Sequence, residues 1–300
     1  MKRPIVAGLL LTAGAALMSA GSALLLAGSA RAELPFAKER IEWNQPQAPF
    51  RVIGNIYYVG MAGISAFLIV TPKGDILTDG GLPESAGAIE KNIQTLGFKL
   101  SDVKILLNSH AHFDHSGGLA KLKADTGAKL TASTGDQPFL ESGHITFGPS
   151  AQIDTAPVKV DRAVKEGDTV KLGGVTLTAH VTPGHTKGCT TWTMNLTEAG
   201  VAHKVMFFCS LTVAGNSLVG NSAYPNIVSD YRASFARLKT MDADIFLAPH
   251  GNQFSLTEKL AKMKPGAPNP FIDAGEKDRV LAGMEKDFDK QLAKQQAATP

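Results

Sequence analysis

The 300-residue sequence has only two cysteines, and it lacks the signatures of several common enzyme classes. It contains no Gly-x-Ser-x-Gly elbow, no phosphate-binding loop ending in Gly-Lys-Ser/Thr and no Gly-x-Gly-x-x-Gly fingerprint. Runs of Lys and Arg are also missing, so nothing indicates a nucleic-acid surface. These absences argue against serine-hydrolase, nucleotide and hydride-transfer chemistry.

The first 32 residues are typical of a secretory leader. Lys2 and Arg3 precede an uncharged stretch rich in Leu, Ala and Gly, and Ala30-Arg31-Ala32 fits a small-residue cleavage site. We expect residues 1–32 to be a signal peptide for export to the periplasm and residues 33–300 to be the folded domain. An uncleaved membrane anchor is the alternative, because the stretch is long enough to span a bilayer.

The chain without this leader carries 27 basic and 27 acidic residues, since the leader holds three of the 30 basic residues and no acidic one. A neutral chain with no basic cluster is not expected to bind nucleic acid or to stay on a membrane. The sequence gives no indication of the oligomeric state.

The two cysteines, Cys189 and Cys209, flank a predicted hairpin with strands at 190–194 and 205–208. A register that pairs Thr191 with Phe207 also places the two thiols opposite each other. Such a pair can close in an oxidising compartment, so we predict a disulfide. The alternative is two buried free thiols.

Runs of strands followed by helical periodicity occur twice along the chain. Strands are predicted at 51–58, 65–71, 75–78, 103–107, 129–132, 169–172, 175–180, 190–194, 205–208 and 245–248. Helices are predicted at 84–96, 119–126, 230–238 and 279–295. Segments 33–50 and 133–149 have no clear period and are predicted to be an irregular arm and a loop or lid. Two β-then-α halves predict an α+β fold, a four-layer αββα sandwich in a single domain, with loops gathered along one edge.

The most informative segment follows the predicted strand 103–107. It places His110, His112, Asp114 and His115 within six positions, and imidazole and carboxylate are donors that suit zinc. Two more histidines, His185 and His250, also follow predicted strands. If these strands end at the same edge, the six side chains complete two three-ligand sites, and an open fourth position is typical of catalytic zinc.

The remaining histidines are predicted to be ordinary surface or supporting residues. They are His144, His180 and His203. Of these, His144 lies in the predicted lid, where it could touch a substrate.

These residues resemble the metallo-β-lactamase superfamily. Its HxHxDH signature is met by residues 110–115, and its later histidines match His185 in Pro-Gly-His-Thr and His250. The resemblance covers the chain from about Trp43 to the C-terminus. It implies the fold but not the substrate, because the superfamily includes thioesterases, lactonases, nucleases and sulfatases as well as β-lactamases.

Within the superfamily, the serine at position 210 makes this sequence resemble the third subclass of β-lactamases. Most hydrolases of the superfamily have an aspartate at this position that bridges two metals, and here the carboxylate is missing. Segments around Trp43, Tyr57 and Tyr224 also look like that subclass. The resemblance implies two Zn²⁺ ions, one held by His110, His112 and His185 and the other by Asp114, His115 and His250. Another subclass uses a cysteine ligand, so Cys209 is an alternative donor.

The implied activity is hydrolysis of the β-lactam amide by a zinc-bound hydroxide, which would confer resistance to β-lactam antibiotics. Asp114 is the expected catalytic residue, because it can orient the hydroxide. Ser210 and Thr212 are expected to bind the substrate carboxylate, and Asn216 to contact the lactam carbonyl. Alternatively, the two hydroxyls only satisfy backbone groups in a loop.

Two other functions stay open. One is a different hydrolase of the same fold, such as a lactonase or thioesterase, and the other is an exported zinc-binding protein without turnover.

Overall fold

The structure, a computed structural model, describes residues 35–298 and contains two β-sheets; the predicted leader, residues 1–32, lies outside the described residues. The first sheet has seven strands in chain order: β1 (Phe50–Ile53), β2 (Ile56–Tyr58), β3 (Phe67–Ile69), β4 (Asp75–Thr78), β5 (Val103–Leu107), β6 (Lys129–Ser133) and β7 (Arg162–Val164). The second has five strands: β8 (Thr169–Leu172), β9 (Val175–Val181), β10 (Thr190–Glu198), β11 (Val201–Phe207) and β12 (Ile245–Leu247).

Eight α-helices accompany the sheets in the described part of the chain. They are α1 (Ala37–Trp43), α2 (Ala86–Thr95), α3 (Phe113–Ser116), α4 (Leu119–Thr126), α5 (Gln137–Ser142), α6 (Ile227–Lys239), α7 (Leu256–Lys262) and α8 (Glu276–Ala297). None of them, over residues 35–298, is both long and apolar enough to cross a bilayer. The longest, α8, carries charged residues along its whole length.

The first sheet changes from antiparallel to parallel pairing at β4. Strands β1 to β4 form the predicted meander, with β1 and β2 separated by a turn at Gly54. Strands β4 to β7 are parallel, and α2 and α4 provide crossovers between them. Parallel strands need such connections, so the predicted βαβ unit is confirmed.

The second sheet brings three strand ends to one edge. Strand β10 is antiparallel to both β9 and β11, and β11 is parallel to β12. The carboxyl ends of β9, β11 and β12 therefore meet, and they lead directly into the segments that carry His185, Ser210 and His250.

The sheets pack on each other through large apolar side chains. Phe67 of β3 contacts Phe207 of β11, with ring centroids 5.5 Å apart, and Trp192 of β10 is buried. On the second sheet's side, α6 and α8 pack through Tyr231 and Phe288, whose centroids are 4.9 Å apart. The α+β, four-layer αββα architecture predicted from the sequence is confirmed.

Two segments predicted to be irregular contain helices. Helix α1 lies within 33–50 and α5 within 133–149. Each helix has only one or two turns, which is too short to show a helical period in the sequence. Helix propensity was the usable signal for α1, because its sequence AKERIEW is rich in good helix formers.

The predicted disulfide between Cys189 and Cys209 is present, with the two Cα atoms 5.8 Å apart. The predicted register is wrong by one residue, since Trp192 rather than Thr191 pairs with Phe207. The cysteines lie beyond the last paired residues of the ladder, so the register does not decide whether they meet. The disulfide also excludes Cys209 as a thiolate ligand for a metal.

Candidate metal centre

The segment after β5 positions four of the six predicted ligands. The chain leaves the strand at Leu107, and the one-turn helix α3 follows His112, its N-cap residue. His110, His112, Asp114 and His115 are all buried. The turn out of α3 packs tightly, because a Cβ atom at Gly118 would lie 2.2 Å from the carbonyl oxygen of Gly80. Only glycine allows this approach.

His110, His112 and His185 form the first group. One ring nitrogen from each lies within 4.8 Å of the others. The Nε2 atoms of His110 and His185 are 3.2 Å apart, and the rings of His112 and His185 have centroids 4.4 Å apart. His110 and His185 are 75 residues apart in the sequence. The structure therefore brings together imidazoles from distant parts of the chain.

Asp114, His115 and His250 form the second group. The Nε2 atom of His115 is 3.2 Å from Asp114 Oδ2 and 3.2 Å from His250 Nε2, and His250 Nε2 is 3.4 Å from Asp114 Oδ2. Ligands at 2.0–2.1 Å from a tetrahedral zinc ion are about 3.3 Å from one another. The three donor atoms match this spacing. His110 lies between the two groups, since it also clusters with Asp114 and His115.

Hydrogen bonds fix the histidine tautomers for metal binding. The Nδ1 atom of His185 donates to the carbonyl oxygen of Thr212 at 2.7 Å, which leaves the Nε2 lone pair facing His110. The Nδ1 atom of His110 is 2.9 Å from the hydroxyl of Ser109. Metal-binding histidines usually have such partners on the second ring nitrogen.

Burial and the neighbouring charges set the protonation states. Burial lowers the pKa of His112 to about 4 and holds the pKa of His110 and of His185 well below the ordinary value, so these rings are neutral at neutral pH. Burial raises the pKa of Asp114, but His115 and His250 outweigh it and bring that pKa well below its usual range. Neutral imidazoles and an ionised carboxylate are the forms that bind divalent metals.

A cavity of about 280 Å³ opens onto both groups. Its lining residues are Phe36, Glu39, Trp43, His112, Phe113, Asp114, Ser150, His185, Thr212, Ala214 and His250. The volume is close to the lower end of the range of about 300–1,000 Å³ found for small-molecule sites.

The three predicted substrate-contacting residues differ in position. Thr212 lines the cavity. Ser210 is buried below it, with its Oγ atom 3.2 Å from Thr212 Oγ1. Asn216 is also buried, and its amide nitrogen donates to the carbonyl of His185 at 3.2 Å. In this structure Ser210 and Asn216 therefore support the residues that face the cavity.

The remaining histidines lie elsewhere among the described residues. His144 pairs with Asp154 and does not line the cavity, and His180 contacts Thr193. His203 lies on β11 and faces Leu196 across the hairpin.

An aromatic wall along one side of the cavity was missed by the sequence analysis. It consists of Phe36, Trp43 and Phe113. Trp43 lies 5.4 Å from His250 and Phe36 lies 5.4 Å from Phe113, measured between ring centroids. Arg40 of α1 forms a two-bond ion pair with Glu84, which attaches this helix to the rest of the fold. The available signal was the presence of Phe36 and Trp43 in segment 33–50, which is otherwise rich in polar residues.

Two buried carboxylates that support the loops were also missed. Asp79 accepts hydrogen bonds from the backbone N–H of Ser109 at 2.7 Å and from the side chain of Asn108 at 3.1 Å. Asp136 accepts from backbone and hydroxyl donors on both sides of the site. Both acids come shortly after strands β4 and β6, at the edge where the ligands collect, and that placement was the available signal.

Comparison with known proteins agrees with the geometry. The family model described as the metallo-β-lactamase superfamily matches residues 59–250. The subclass B3 metallo-β-lactamase BJP-1 of Bradyrhizobium japonicum is 50% identical, with 86% of this chain and 98% of that chain covered and a TM-score of 0.83. The FEZ-1 metallo-β-lactamase of Legionella gormanii is 40% identical, with 84% and 98% covered and a TM-score of 0.82.

Curated relatives match over a shorter part of the chain. The hydroxyacylglutathione hydrolase of Methylobacterium nodulans is 36% identical over 104 residues, which are 35% of this chain and 32% of that protein. The chain spans about a third of the length of such relatives.

Two facing sheets with a buried cluster of histidine and aspartate donors at their edge define a fold and a site that can hold divalent metal ions. The chain belongs to the metallo-β-lactamase superfamily.

Proposed function

We propose that the protein is an exported, zinc-dependent β-lactamase that hydrolyses the amide of the β-lactam ring and thereby confers resistance to β-lactam antibiotics. One observation carries the proposal. The similarity to subclass B3 metallo-β-lactamases extends over 98% of the BJP-1 chain, whereas the similarity to hydroxyacylglutathione hydrolases extends over 32% of the first of them.

The two groups of donors are the proposed sites for two Zn²⁺ ions. His110, His112 and His185 would hold one ion, and Asp114, His115 and His250 the other. When bound, zinc lowers the pKa of a coordinated water and polarises a carbonyl group. The spacing of the second group and the neutral state of the first support this assignment.

Asp114 is the proposed catalytic residue. Its carboxylate lines the cavity, where it can accept a hydrogen bond from the attacking water and orient the oxygen toward the lactam carbonyl carbon. Against the opposing effect of burial, His115 and His250 hold the pKa of Asp114 well below its usual range, so the group is an ionised carboxylate that can accept a hydrogen bond from the water. The new C–O bond replaces the ring C–N bond. The attacking water releases one proton to solvent and the released nitrogen takes one up, so ring opening consumes one water molecule in total.

Thr212 is the proposed anchor for the substrate carboxylate, because its hydroxyl borders the cavity beside His185. Ser210 assists by contacting the Thr212 hydroxyl, and its direct contact with substrate stays a prediction. Asn216 is buried and its amide nitrogen donates to the carbonyl of His185, so its contact with a lactam carbonyl stays a prediction.

Export to the periplasm is part of the proposal, with residues 1–32 as the leader. The Cys189–Cys209 disulfide supports it, since disulfides persist in oxidising compartments.

The test is hydrolysis of a chromogenic cephalosporin by the purified protein, before and after treatment with a chelator and again after zinc is restored. We expect turnover that the chelator abolishes and zinc recovers. The variant His144→Ala is a matched control, because this exposed histidine lies outside the cavity, and it should keep full activity.

A glutathione thioester and an acyl-lactone, assayed in parallel, test the alternative hydrolases. The thioesterase is favoured by the 36% identity to a hydroxyacylglutathione hydrolase. Rapid hydrolysis of either compound by zinc-loaded protein that leaves the cephalosporin intact would overturn the proposal that the protein is a β-lactamase. Ser210→Asp adds a carboxylate beside the site and should lower lactam turnover.

A further inference from the structure

Asp136 is a buried carboxylate that the proposed reaction does not use. Its side chain is 1% exposed. The Oδ2 atom accepts hydrogen bonds from the backbone N–H of Ala111 at 2.9 Å and from the hydroxyl of Thr186 at 2.7 Å. The Oδ1 atom accepts from the backbone N–H of Gly188 at 2.8 Å. Burial of a charge is costly unless such donors compensate it, so all three are needed.

These donors come from both halves of the fold. Ala111 lies between His110 and His112, and Thr186 directly follows His185. One carboxylate therefore fixes the two loops that carry all three histidines of the first group. The contact is close, because a Cβ atom at Gly188 would lie 2.3 Å from the backbone nitrogen of Asp136.

A second contact holds the His185 loop to the same segment. The Nζ atom of Lys187 lies 5.7 Å from the ring centroids of Phe139 and Phe147 and 5.6 Å from that of Tyr224. Phe139 and Phe147 follow Asp136 in the chain, so cation–π attraction at Lys187 and hydrogen bonds at Asp136 act on one loop from one segment.

The second group is held differently. Asp136 makes no contact with Asp114, His115 or His250 among the hydrogen bonds and ion pairs of residues 35–298. His250 instead packs against Trp43, and its backbone bridges to Ile64. A change at Asp136 should therefore affect the two groups unequally.

We propose that Asp136 is a positioning residue that sets the metal affinity of the His110–His112–His185 group and leaves that of the Asp114–His115–His250 group unchanged. This inference rests on the metal centre proposed above.

The test is a competition titration of the zinc-free protein with zinc and a chromogenic chelator, at a pH above neutrality, for the wild type and Asp136→Asn. We expect the wild type to bind two equivalents of zinc. In the variant one equivalent should bind about 10- to 100-fold more weakly, which is the usual cost of losing a group that supports a ligand, while the other keeps its affinity.

Asp161→Asn is a matched control, because Asp161 is a carboxylate of the same half that accepts the backbone N–H of Leu130 and pairs with Lys123, and it makes no hydrogen bond or ion pair with a ligand among residues 35–298. It should leave both equivalents unchanged. If Asp136→Asn does not fold, Thr186→Val removes one hydrogen bond and keeps the carboxylate, and it should weaken the same equivalent, with Thr186→Ser restoring it.

Equal weakening of both equivalents, or no change in either variant, would overturn the positioning role. A wild-type protein that binds no zinc would overturn the metal centre itself, and the inference with it.

Discussion

The two halves of the molecule contribute to the metal centre in different ways. The first half supplies His110, His112, Asp114 and His115 from one loop and one helical turn. The second half supplies His185 and His250 from separate loops. One short segment brings the first set together, and Asp79 and Asp136 support it with hydrogen bonds. The second set comes from two separate loops, so it depends entirely on strand ends, hydrogen bonds and packing from distant parts of the chain.

This difference indicates which ligands keep their positions most easily when other parts of the chain are changed. A short loop after a buried strand keeps its ligands together as long as the strand is formed. The His185 loop needs Asp136, Lys187 and Thr212 to hold it, and the neighbouring strands are joined by the disulfide. The predictions below test this contrast, beginning with the largest effect.

The largest effect is expected in the segment after β5 that carries Asp114. Asp114→Ala removes a donor atom and the group that orients the water, so kcat/KM for a cephalosporin should fall at least about 1,000-fold, since even residues that only support a ligand cost about 10- to 100-fold. Steady-state kinetics against the His144→Ala control measures this. A variant with more than a tenth of wild-type activity would contradict the role of Asp114.

Burial of the neutral His112 ring in this loop should make the zinc-free protein sensitive to acid. Burial lowers the pKa of His112 to about 4 in the folded state, whereas the ordinary pKa of a histidine is 6.5. The unfolded chain therefore takes up a proton at higher pH than the folded protein. Stability should fall as the pH drops from about 6.5 to 4, by on the order of 3 kcal/mol for this residue.

Denaturant unfolding of zinc-free protein at a series of pH values measures this loss, and His112→Asn should flatten the profile. Stability that stays constant over the range would contradict the burial of a neutral ring.

Removal of the disulfide tests the dependence of the second half on long-range constraints. The double variant Cys189→Ser/Cys209→Ser should lose about 3 kcal/mol of unfolding free energy, because a cross-link over a separation of 20 residues restricts the unfolded chain. Urea unfolding of the oxidised wild type and of the variant gives the difference. Coincident unfolding curves would show that strand packing alone holds these loops.

The smallest effect is expected at Thr212. Thr212→Val removes the hydroxyl that borders the cavity and keeps the backbone carbonyl that accepts from His185. The KM for a β-lactam should rise about 10-fold, which corresponds to one hydrogen bond to a charged group, with a smaller change in kcat. Thr212→Ser should retain the wild-type KM, and a loss confined to kcat would place the hydroxyl in the reaction step instead.

The parts of the fold with strong periodicity could be predicted from the sequence. The β1–β4 meander, the βαβ unit and helices α6 and α8 follow from apolar patterns that local and tertiary forces both favour. The sequence could not predict the bounds of α1 and α5 or the register of the hairpin, because short helices and strand pairing depend on packing against the rest of the fold. The hairpin turns at Ala199 and Gly200, both with positive φ, inside the segment predicted as a longer turn.

The candidate site was predictable to the extent that its chemistry is concentrated in unusual side chains. Clustered histidines and aspartate stand out against a sequence with eight histidines in all. Asp79 and Asp136 did not stand out, because an acidic residue after a strand is common and its burial appears only when the fold is built. The aromatic wall was missed for the same reason.

The wall of Phe36, Trp43 and Phe113 has a consequence for inhibition. A chelating compound gains affinity from the metal centre alone at any related enzyme, and such affinity does not discriminate between them. A flat apolar substituent that stacks on Trp43 also removes nonpolar area from water, worth about 25 cal/mol per Å². An inhibitor of this protein is therefore best extended toward helix α1, where apolar contact adds to binding at the metal groups.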